Sequence, residues 1–299
     1  MLIDGFNGVY PAAVSPKDDE GNFCGQRLEA LVARLYESNV HGLYMCGNTG
    51  EGYLLSSSAR KEAVEVAVDA SKGKGKVVAH VGAPAEEDAV ALAKHAAQAG
   101  ADAISSLPPY VQGYSFDEVH AYYTRLAYAS GLPTFVYYIP VITHREFSLA
   151  EMDQLLDIEG VAGLKFTNHN LYLMEGIMDG GRNPHVFNGH DEVFLAGMAM
   201  GARAGIGTYY NIMPDHFVGI YEAFLAKDLE TGFKLQRDVN RLIRAAQTVR
   251  QNGAVHTLLK WQGIPCGDPI RPARPLDDAD EKKLRTALEE AGLSEMLKI

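Results

Sequence analysis

The chain has few cysteines, no long apolar run and fewer basic than acidic residues. Its 299 residues include three cysteines, which are far apart and form no C-x-x-C pair: Cys24, Cys46 and Cys266. This pattern indicates neither a disulfide framework nor a cysteine metal site. No apolar run reaches the roughly 18 residues of a membrane span, and the first residues do not resemble a signal peptide. We therefore expect a cytoplasmic protein without a membrane partner.

The charge balance narrows the range of partners further. Acidic residues outnumber basic ones by 38 to 27, which gives a formal net charge of -11. Because phosphate binding needs a basic surface, we expect no nucleic-acid partner. An anionic substrate would also meet a repulsive global field, so local hydrogen-bond donors must hold it. The length suits either two ordinary domains or one α/β barrel of about 250 residues with an appendage.

A regular alternation of strand and helix patterns favours the barrel. Strand-like apolar runs recur roughly every 25 to 30 residues, and a segment with helical spacing follows each of them. The expected strands are 6–14, 42–46, 76–81, 102–107, 133–138, 161–166, 185–188 and 204–208. The expected helices are 25–39, 58–72, 86–99, 115–130, 148–157, 170–180, 190–200 and 214–227. Continuous apolar strands indicate burial on both faces, so the eight units predict a TIM (β/α)8 barrel over residues 1–227.

The strand signal disappears after about residue 228. Only helical spacing remains, in Thr231–Gln251, Ala254–Gln262 and Asp278–Ala291. We interpret residues 228–299 as a three-helix extension that packs against the barrel. The predicted fold is therefore an α/β barrel with a C-terminal helical extension.

One lysine stands out because it ends an apolar strand. Lys165 follows the run that begins at Val161, and it is the only lysine at a predicted carboxyl end of a strand, where barrels of this type place their active groups. Burial favours the neutral amine and lowers its pKa, which would make Lys165 a nucleophile toward carbonyl carbon. The alternative is a lysine that extends to solvent or pairs with a neighbour.

Two further strand ends carry residues suited to acid substrates. The turn Gly47–Gly52 offers Asn48, Thr49 and backbone amides as donors for a carboxylate, although it could also be a tight turn into the next helix. Tyr137 ends the fifth strand, and its phenol could relay protons during imine chemistry. A core tyrosine with a satisfied hydroxyl is the alternative for this position.

Two adjacent carboxylates follow the seventh strand. Asp191 and Glu192 could accept hydrogen bonds from polyol hydroxyls, but acids are also favoured in a first helical turn. Together with His80 and His190 they could be imagined as ligands of a metal-dependent aldolase. No H-E-x-x-H or comparable spacing is present, and a lysine in the same mouth would repel the ion. We expect no metal and no cofactor.

With these residues assembled, the chain resembles the N-acetylneuraminate lyase and dihydrodipicolinate synthase superfamily of Schiff-base pyruvate enzymes. The family motif G-[ST]-T-G-E is matched by Gly47–Glu51, Y-N-[IV]-P by Tyr137–Pro140, and G-[IVL]-K-x-[TS] by Gly163–Thr167. The resemblance implies a TIM barrel, a homotetramer, an imine on Lys165, proton relay by Tyr137 and a pyruvyl carboxylate held at Thr49.

The resemblance also implies roles for residues that single-residue patterns do not single out. Tyr110, in the loop after the fourth strand, would reach into the site of a neighbouring subunit. In the lyase branch, substrate-binding residues would include, besides Asn48, the following set: Thr167, Gly189, Asp191, Glu192, Gly207 and Thr208. The synthase branch carries an arginine two residues after the proline of its Y-N-V-P motif, where this chain has Ile142.

The resulting hypothesis is reversible cleavage of N-acetylneuraminate to pyruvate and N-acetylmannosamine. Departures from the family pattern at Asn48, Tyr138 and 143–145 leave the aldehyde partner open. The alternatives are dihydrodipicolinate synthesis, an aldolase or dehydratase for 2-keto-3-deoxy sugar acids, and a pyruvate sensor without catalysis.

Overall fold

Parallel strands form a closed barrel. The computed structural model describes residues 5–299. Within this range it has eight strands, β1 Gly8–Pro11, β2 Gly42–Met45, β3 Lys76–His80, β4 Ala103–Ser106, β5 Thr134–Tyr138, β6 Val161–Phe166, β7 His185–Asn188 and β8 Ala204–Gly207. All hydrogen-bonded neighbours are parallel, in the order β1-β8-β7-β6-β5-β4-β3-β2. Ala12 bridges Tyr44, and the Ala13 amide donates to the Tyr44 carbonyl at 3.0 Å, which joins the first two strands and closes the ring. The predicted TIM barrel is confirmed.

Helices alternate with the strands and then continue beyond them. In the described range the α-helices are α1 Gly25–Glu37, α2 Ser57–Ser71, α3 Glu86–Ala99, α4 Phe116–Ser130, α5 Pro140–Thr143, α6 Leu149–Leu156, α7 Leu171–Asp179, α8 Phe194–Ala199, α9 Pro214–Leu225, α10 Leu229–Ala246, α11 Gln251–Trp261, α12 Asp278–Glu290 and α13 Ser294–Leu297. Ser115 and Ser148 each cap a helix in a reciprocal capping box, with Glu118 and Glu151. These side chains satisfy amides that the first turn leaves free.

Two segments differ from the predicted helices. The short helix α5 begins at Pro140, which suits a first helical turn because its missing N–H would have no partner there. The segment predicted as one helix over 190–200 begins as a 3-10 turn, Asp191–Val193, and becomes α-helical at Phe194. Both irregular segments follow strand ends, where they border the cavity described below.

The core has two layers. Inside the barrel, aromatic rings meet edge to face: the Tyr10 and Phe187 centroids are 5.2 Å apart, and those of Phe135 and Phe187 are 4.9 Å apart. These rings fill the barrel interior, so it is a packed core and not a pore. A larger apolar layer lies between the strands and the surrounding helices.

The C-terminal helices pack against the barrel. Val239 and Leu242 of α10, Leu258 of α11 and Leu284 of α12 belong to the same apolar cluster as the barrel helices. The predicted extension is present, with the short helix α13 as an addition to the three expected helices. The apolar core runs from the barrel into these helices without a break. The division of the chain into two domains at residue 228 stays a prediction. No helix between residues 5 and 299 is both long and apolar enough to cross a membrane.

Candidate active site

A cavity of about 330 Å³ opens at the carboxyl ends of the strands. The ends of β2, β5, β6, β7 and β8 supply side chains to its wall. All but one of the predicted site residues line it, namely Asn48, Thr49, Tyr137, Lys165, Thr167, Gly189, Asp191, Glu192, Gly207 and Thr208. Tyr110 is the exception.

Lys165 lies at the floor of this cavity with 4% of its surface exposed. Its Nζ is 4.1 Å from the ring centroid of Tyr137 and 4.4 Å from that of Tyr44, where a cationic form gains from the π faces. Burial nevertheless lowers the pKa of Lys165 to about 7, and the charge of Asp191 opposes part of that shift. A substantial fraction of the amine is therefore neutral and nucleophilic near neutral pH.

Tyr137 presents a protonated phenol next to this amine. It is buried, and burial raises its pKa above the usual value, while the nearby Thr167 hydroxyl opposes the rise. Asn48 Oδ1 is a buried side-chain atom that meets no hydrogen-bond partner among residues 5–299. A buried polar atom without a partner is costly, so this oxygen is available to a ligand in the cavity.

The carboxylate of Asp191 is already engaged by the protein. Its Oδ2 accepts from the Tyr209 amide at 2.6 Å and its Oδ1 accepts from the Thr208 amide at 3.3 Å. Burial raises the pKa of Asp191 to about 7, and these two amides oppose the rise. Gly207 accommodates the close approach, since a Cβ there would overlap Asp191 Oδ1. Asp191 therefore holds the turn after β8, a role that the adjacent-carboxylate pattern did not indicate.

Crowding of the same kind occurs at Gly189. A Cβ on Gly189 would overlap the Thr167 side chain. Elsewhere on the cavity wall, Thr49 Oγ1 and Thr208 Oγ1 are 2.7 Å apart and share a hydrogen bond. The turn after β2 and the turn after β8 are thus joined by their side chains.

Glu192 lies at the rim between two histidines. His169 Nε2 is 3.0 Å and His190 Nδ1 is 3.3 Å from Glu192 Oε1. Burial raises the pKa of Glu192, but hydrogen bonds led by that of His190 outweigh this effect and bring the pKa to about 2. Glu192 is therefore an anion at neutral pH.

Tyr110 does not line the cavity and stands at the end of a series of rings. Its centroid is 6.3 Å from that of Tyr53, Tyr53 is 6.0 Å from His80, and His80 is 6.0 Å from Tyr137. The loop after β4 thus connects Tyr110 through these rings to Tyr137 without placing it on the cavity wall. Its action in a neighbouring subunit stays a prediction.

Comparison with known proteins places this geometry in a family. A model of the dihydrodipicolinate synthetase family matches residues 5–291. The chain belongs to this family. The chain is 36% identical over 281 residues to the N-acetylneuraminate lyase of Rhizobium meliloti (strain 1021), covering 94% of each protein. It is 34% identical over 284 residues to the N-acetylneuraminate lyase of Escherichia coli (strain SMS-3-5 / SECEC), covering 95% of each.

A solved structure agrees with the same assignment. The structure of CdNal from Clostridium difficile in complex with mannosamine superposes with a TM-score of 0.91 and 28% identity, over 96% of this chain and 99% of that one. The resemblance stated from three motifs is confirmed, and the match to this family runs through the C-terminal helices as well as the barrel.

In this member of the dihydrodipicolinate synthetase family, the helical extension also lines the site. The end of α10 and the start of α11 cover the cavity mouth with Ile243, Gln247, Gln251, Asn252, Val255 and His256. Sequence reasoning missed these residues because it assigned the region a packing role only. The available signal was the group of side-chain amides at Gln247, Gln251 and Asn252, where one helical pattern gives way to the next.

A buried ionic cluster ties the extension to the turn after β2. Glu51 accepts from the Ile270 amide at 2.9 and 3.0 Å, from Lys17 Nζ at 3.2 Å and from Asn252 Nδ2 at 3.3 Å. His256 Nε2 lies 3.6 Å away. Burial alone would raise the pKa of Glu51. His256 and Lys17 lower this pKa by a larger amount, so the net shift is downward. The glutamate of the turn motif therefore positions the turn that carries Asn48 and Thr49.

Proposed function

We propose that the protein is a Schiff-base aldolase that cleaves N-acetylneuraminate reversibly to pyruvate and N-acetylmannosamine. The observation that carries this proposal is the Lys165 amine, buried at the floor of the cavity, with a pKa of about 7 and the Tyr137 ring beside it. An amine of this kind forms an imine with a ketone at neutral pH. The two relatives named N-acetylneuraminate lyase support the choice of substrate.

The reaction begins with attack by Lys165 Nζ on the C2 ketone of the open-chain sugar acid. Loss of water leaves a protonated imine, which withdraws electrons from the C3–C4 bond. That bond breaks as the C4 hydroxyl loses its proton, which yields the aldehyde of N-acetylmannosamine and an enamine on Lys165. Protonation of the enamine at C3 and hydrolysis of the imine then release pyruvate and free the lysine.

Tyr137 connects the proton transfers of this sequence. Its raised pKa keeps the phenol protonated, so it acts as a relay and not as a standing base. The phenol oxygen accepts the C4 hydroxyl proton while its own proton passes to the substrate carboxylate. In the opposite direction the same relay protonates the C4 alkoxide during condensation.

The two ends of the substrate meet different walls of the cavity. Asn48 and Thr49 offer an amide and a hydroxyl to the pyruvyl carboxylate. Glu192, an anion, accepts from sugar hydroxyls at the rim. Ile142 lines the cavity where the synthase branch would carry its arginine, so aspartate semialdehyde lacks the expected cationic partner. This difference supports the lyase over the synthase alternative.

A turnover assay and a trapping assay test the proposal together. N-acetylneuraminate should yield pyruvate, whereas pyruvate and aspartate semialdehyde should yield negligible dihydrodipicolinate. Borohydride added with pyruvate should reduce the imine to a stable secondary amine that mass spectrometry locates on Lys165. Label on another lysine, or robust dihydrodipicolinate synthesis, would contradict the proposal.

The assembly and compartment are part of the same proposal. The family resemblance favours a homotetramer in the cytoplasm, with Tyr110 contributed between neighbouring subunits. Tyr110 is half-buried on the loop after β4, so part of its ring is accessible to a second chain. Light scattering of the purified protein measures the number of subunits directly.

A further inference from the structure

Two histidines and a carboxylate converge at the rim of the cavity. His169 follows β6, while His190 and Glu192 follow β7, and one potential ligand atom from each lies within 4.8 Å of those of the other two. The imidazole rings stack at 4.0 Å between centroids and 17° between planes, and each directs a nitrogen at Glu192 Oε1. The sequence-based metal set contained two of these residues but not His169.

We propose that His169, His190 and Glu192 bind a divalent transition-metal ion, for which zinc is the best match, and that the bound ion inhibits the sugar-acid reaction. Imidazole nitrogen and carboxylate oxygen are favoured zinc ligands. The inhibition, unlike the binding, rests on the proposed function. The ion is not a cofactor of that reaction, which proceeds through Lys165.

The spacing of the ligand atoms fits such an ion. In a tetrahedral site with bonds of about 2.0–2.2 Å, neighbouring ligand atoms are roughly 3.3–3.5 Å apart. Glu192 Oε1 is already 3.0 Å from His169 Nε2 and 3.3 Å from His190 Nδ1. Closure of the site needs the two rings to turn out of their parallel stack, and the His169 side chain, 62% exposed, is free to do so.

The electrostatics favour a cation at this position. Glu192 supplies an acidic side chain at this point of the rim, and the formal net charge of -11 attracts cations to the whole protein. Repulsion of the ion by Lys165 is weaker than the sequence indicated, because burial leaves Lys165 with a pKa of about 7. Near neutral pH the Lys165 amine is charged in only part of the molecules, so an ion at the rim meets less repulsion.

A metal ion in this site would hinder Glu192 in binding the substrate. A metal ion bound to Glu192 Oε1 withdraws charge from the carboxylate and so weakens it as an acceptor for a sugar hydroxyl, while Lys165, Asn48 and Thr49 keep their contacts at the pyruvate end. Zinc should therefore raise the KM for N-acetylneuraminate and leave borohydride trapping of pyruvate unchanged. An ion that acted on the lysine would suppress trapping as well.

Binding is measured on the full chain after removal of metals with a chelator. Calorimetry with zinc and visible absorption with cobalt should report one ion per chain, and His169→Ala and His190→Ala should each weaken binding at least about tenfold. His120→Ala, which removes a histidine of α4 outside the cluster, serves as the matched control and should bind like the unaltered chain. Because the His169 side chain is exposed, His169→Ala should leave the fold intact.

The outcomes separate the site from the proposed function. Absence of a stoichiometric ion, or equal affinity in His169→Ala and the unaltered chain, would overturn the metal site even if N-acetylneuraminate is cleaved. Equal zinc inhibition of the unaltered chain and His169→Ala would overturn the inhibitory role. Stoichiometric binding in a protein that does not cleave N-acetylneuraminate would leave the metal site standing and refute the proposed function.

Discussion

At the residue scale, Lys165 combines a buried position with an ionisable amine, and the two oppose each other in the folded protein. Its pKa is about 7 in the folded protein and 10.5 for an ordinary lysine, so between these values the unfolded chain binds more protons. Stability contributed by this group therefore rises with pH across that window and is lowest below it. The reactive amine lowers the stability of the barrel that holds it.

Lys165→Met should stabilise the protein while abolishing turnover. The expected gain is on the order of a few kcal/mol at neutral pH, because methionine fills the same space without a charge to desolvate. Urea denaturation should show the advantage shrinking as the pH rises from about 7 toward 10.5, where the unaltered lysine becomes neutral in both states. An advantage that does not change with pH would show that packing and not ionisation causes it.

Tyr137→Phe tests the proton relay separately from imine formation. The substitution removes one hydroxyl and keeps the ring that packs against Lys165. Pyruvate trapping should persist, whereas the cleavage rate should fall on the order of 10²-fold or more, as expected for loss of a general acid and base. Equal losses in trapping and cleavage would contradict the relay role.

At the scale of elements, the two adjacent carboxylates have different tasks. Asp191 binds backbone amides of the turn after β8, and Thr208 in that turn bonds Thr49 in the turn after β2. Glu192 makes its side-chain contacts at the rim. Sequence reasoning treated the pair as equivalent acceptors for a sugar, and the structure distinguishes them.

Glu192→Gln and Asp191→Asn should therefore differ in what they weaken. Glu192→Gln should lower kcat/KM for the sugar acid by roughly tenfold to a hundredfold, the effect of one hydrogen bond to a charged group, with pyruvate affinity unchanged. Asp191→Asn should weaken pyruvate binding as well, because the linked turns carry Asn48 and Thr49, the proposed donors to the pyruvyl carboxylate. Steady-state kinetics and pyruvate titration measure both effects, and unchanged pyruvate affinity in Asp191→Asn would refute the positioning role.

The strands and their ends were predictable because their information is local. A buried lysine at the end of an apolar run and a glycine turn after β2 are visible within a few residues. The contacts of Asp191 with residues 208 and 209, and of Glu51 with Ile270, join positions far apart in the chain. The periodicity of the sequence contains no information on such pairs. For this reason the sequence did not predict that α10 and α11 line the cavity, or that His169 stacks on His190.

At the scale of the whole molecule, the proposed position of Tyr110 between subunits would make the assembly part of the chemistry. If Tyr110 acts across subunits, a chain with Lys165→Ala retains a usable Tyr110, and a chain with Tyr110→Phe retains a usable lysine. Mixing and reassembling the two inactive proteins should restore activity at up to about a quarter of the sites, as random pairing predicts. Failure to recover activity in proven mixed oligomers would show that Tyr110 serves its own chain.

The crowding at Gly189 and Gly207 limits how this protein could be engineered for new sugars. A side chain at either position would overlap Thr167 or Asp191, so libraries that randomise these glycines would consist mainly of misfolded variants. Positions at the mouth have room and belong to separate elements: Val141 and Ile142 on α5, and Gln247 and Gln251 where α10 meets α11. Directed evolution of aldehyde preference should begin there, since those side chains can change without moving the lysine.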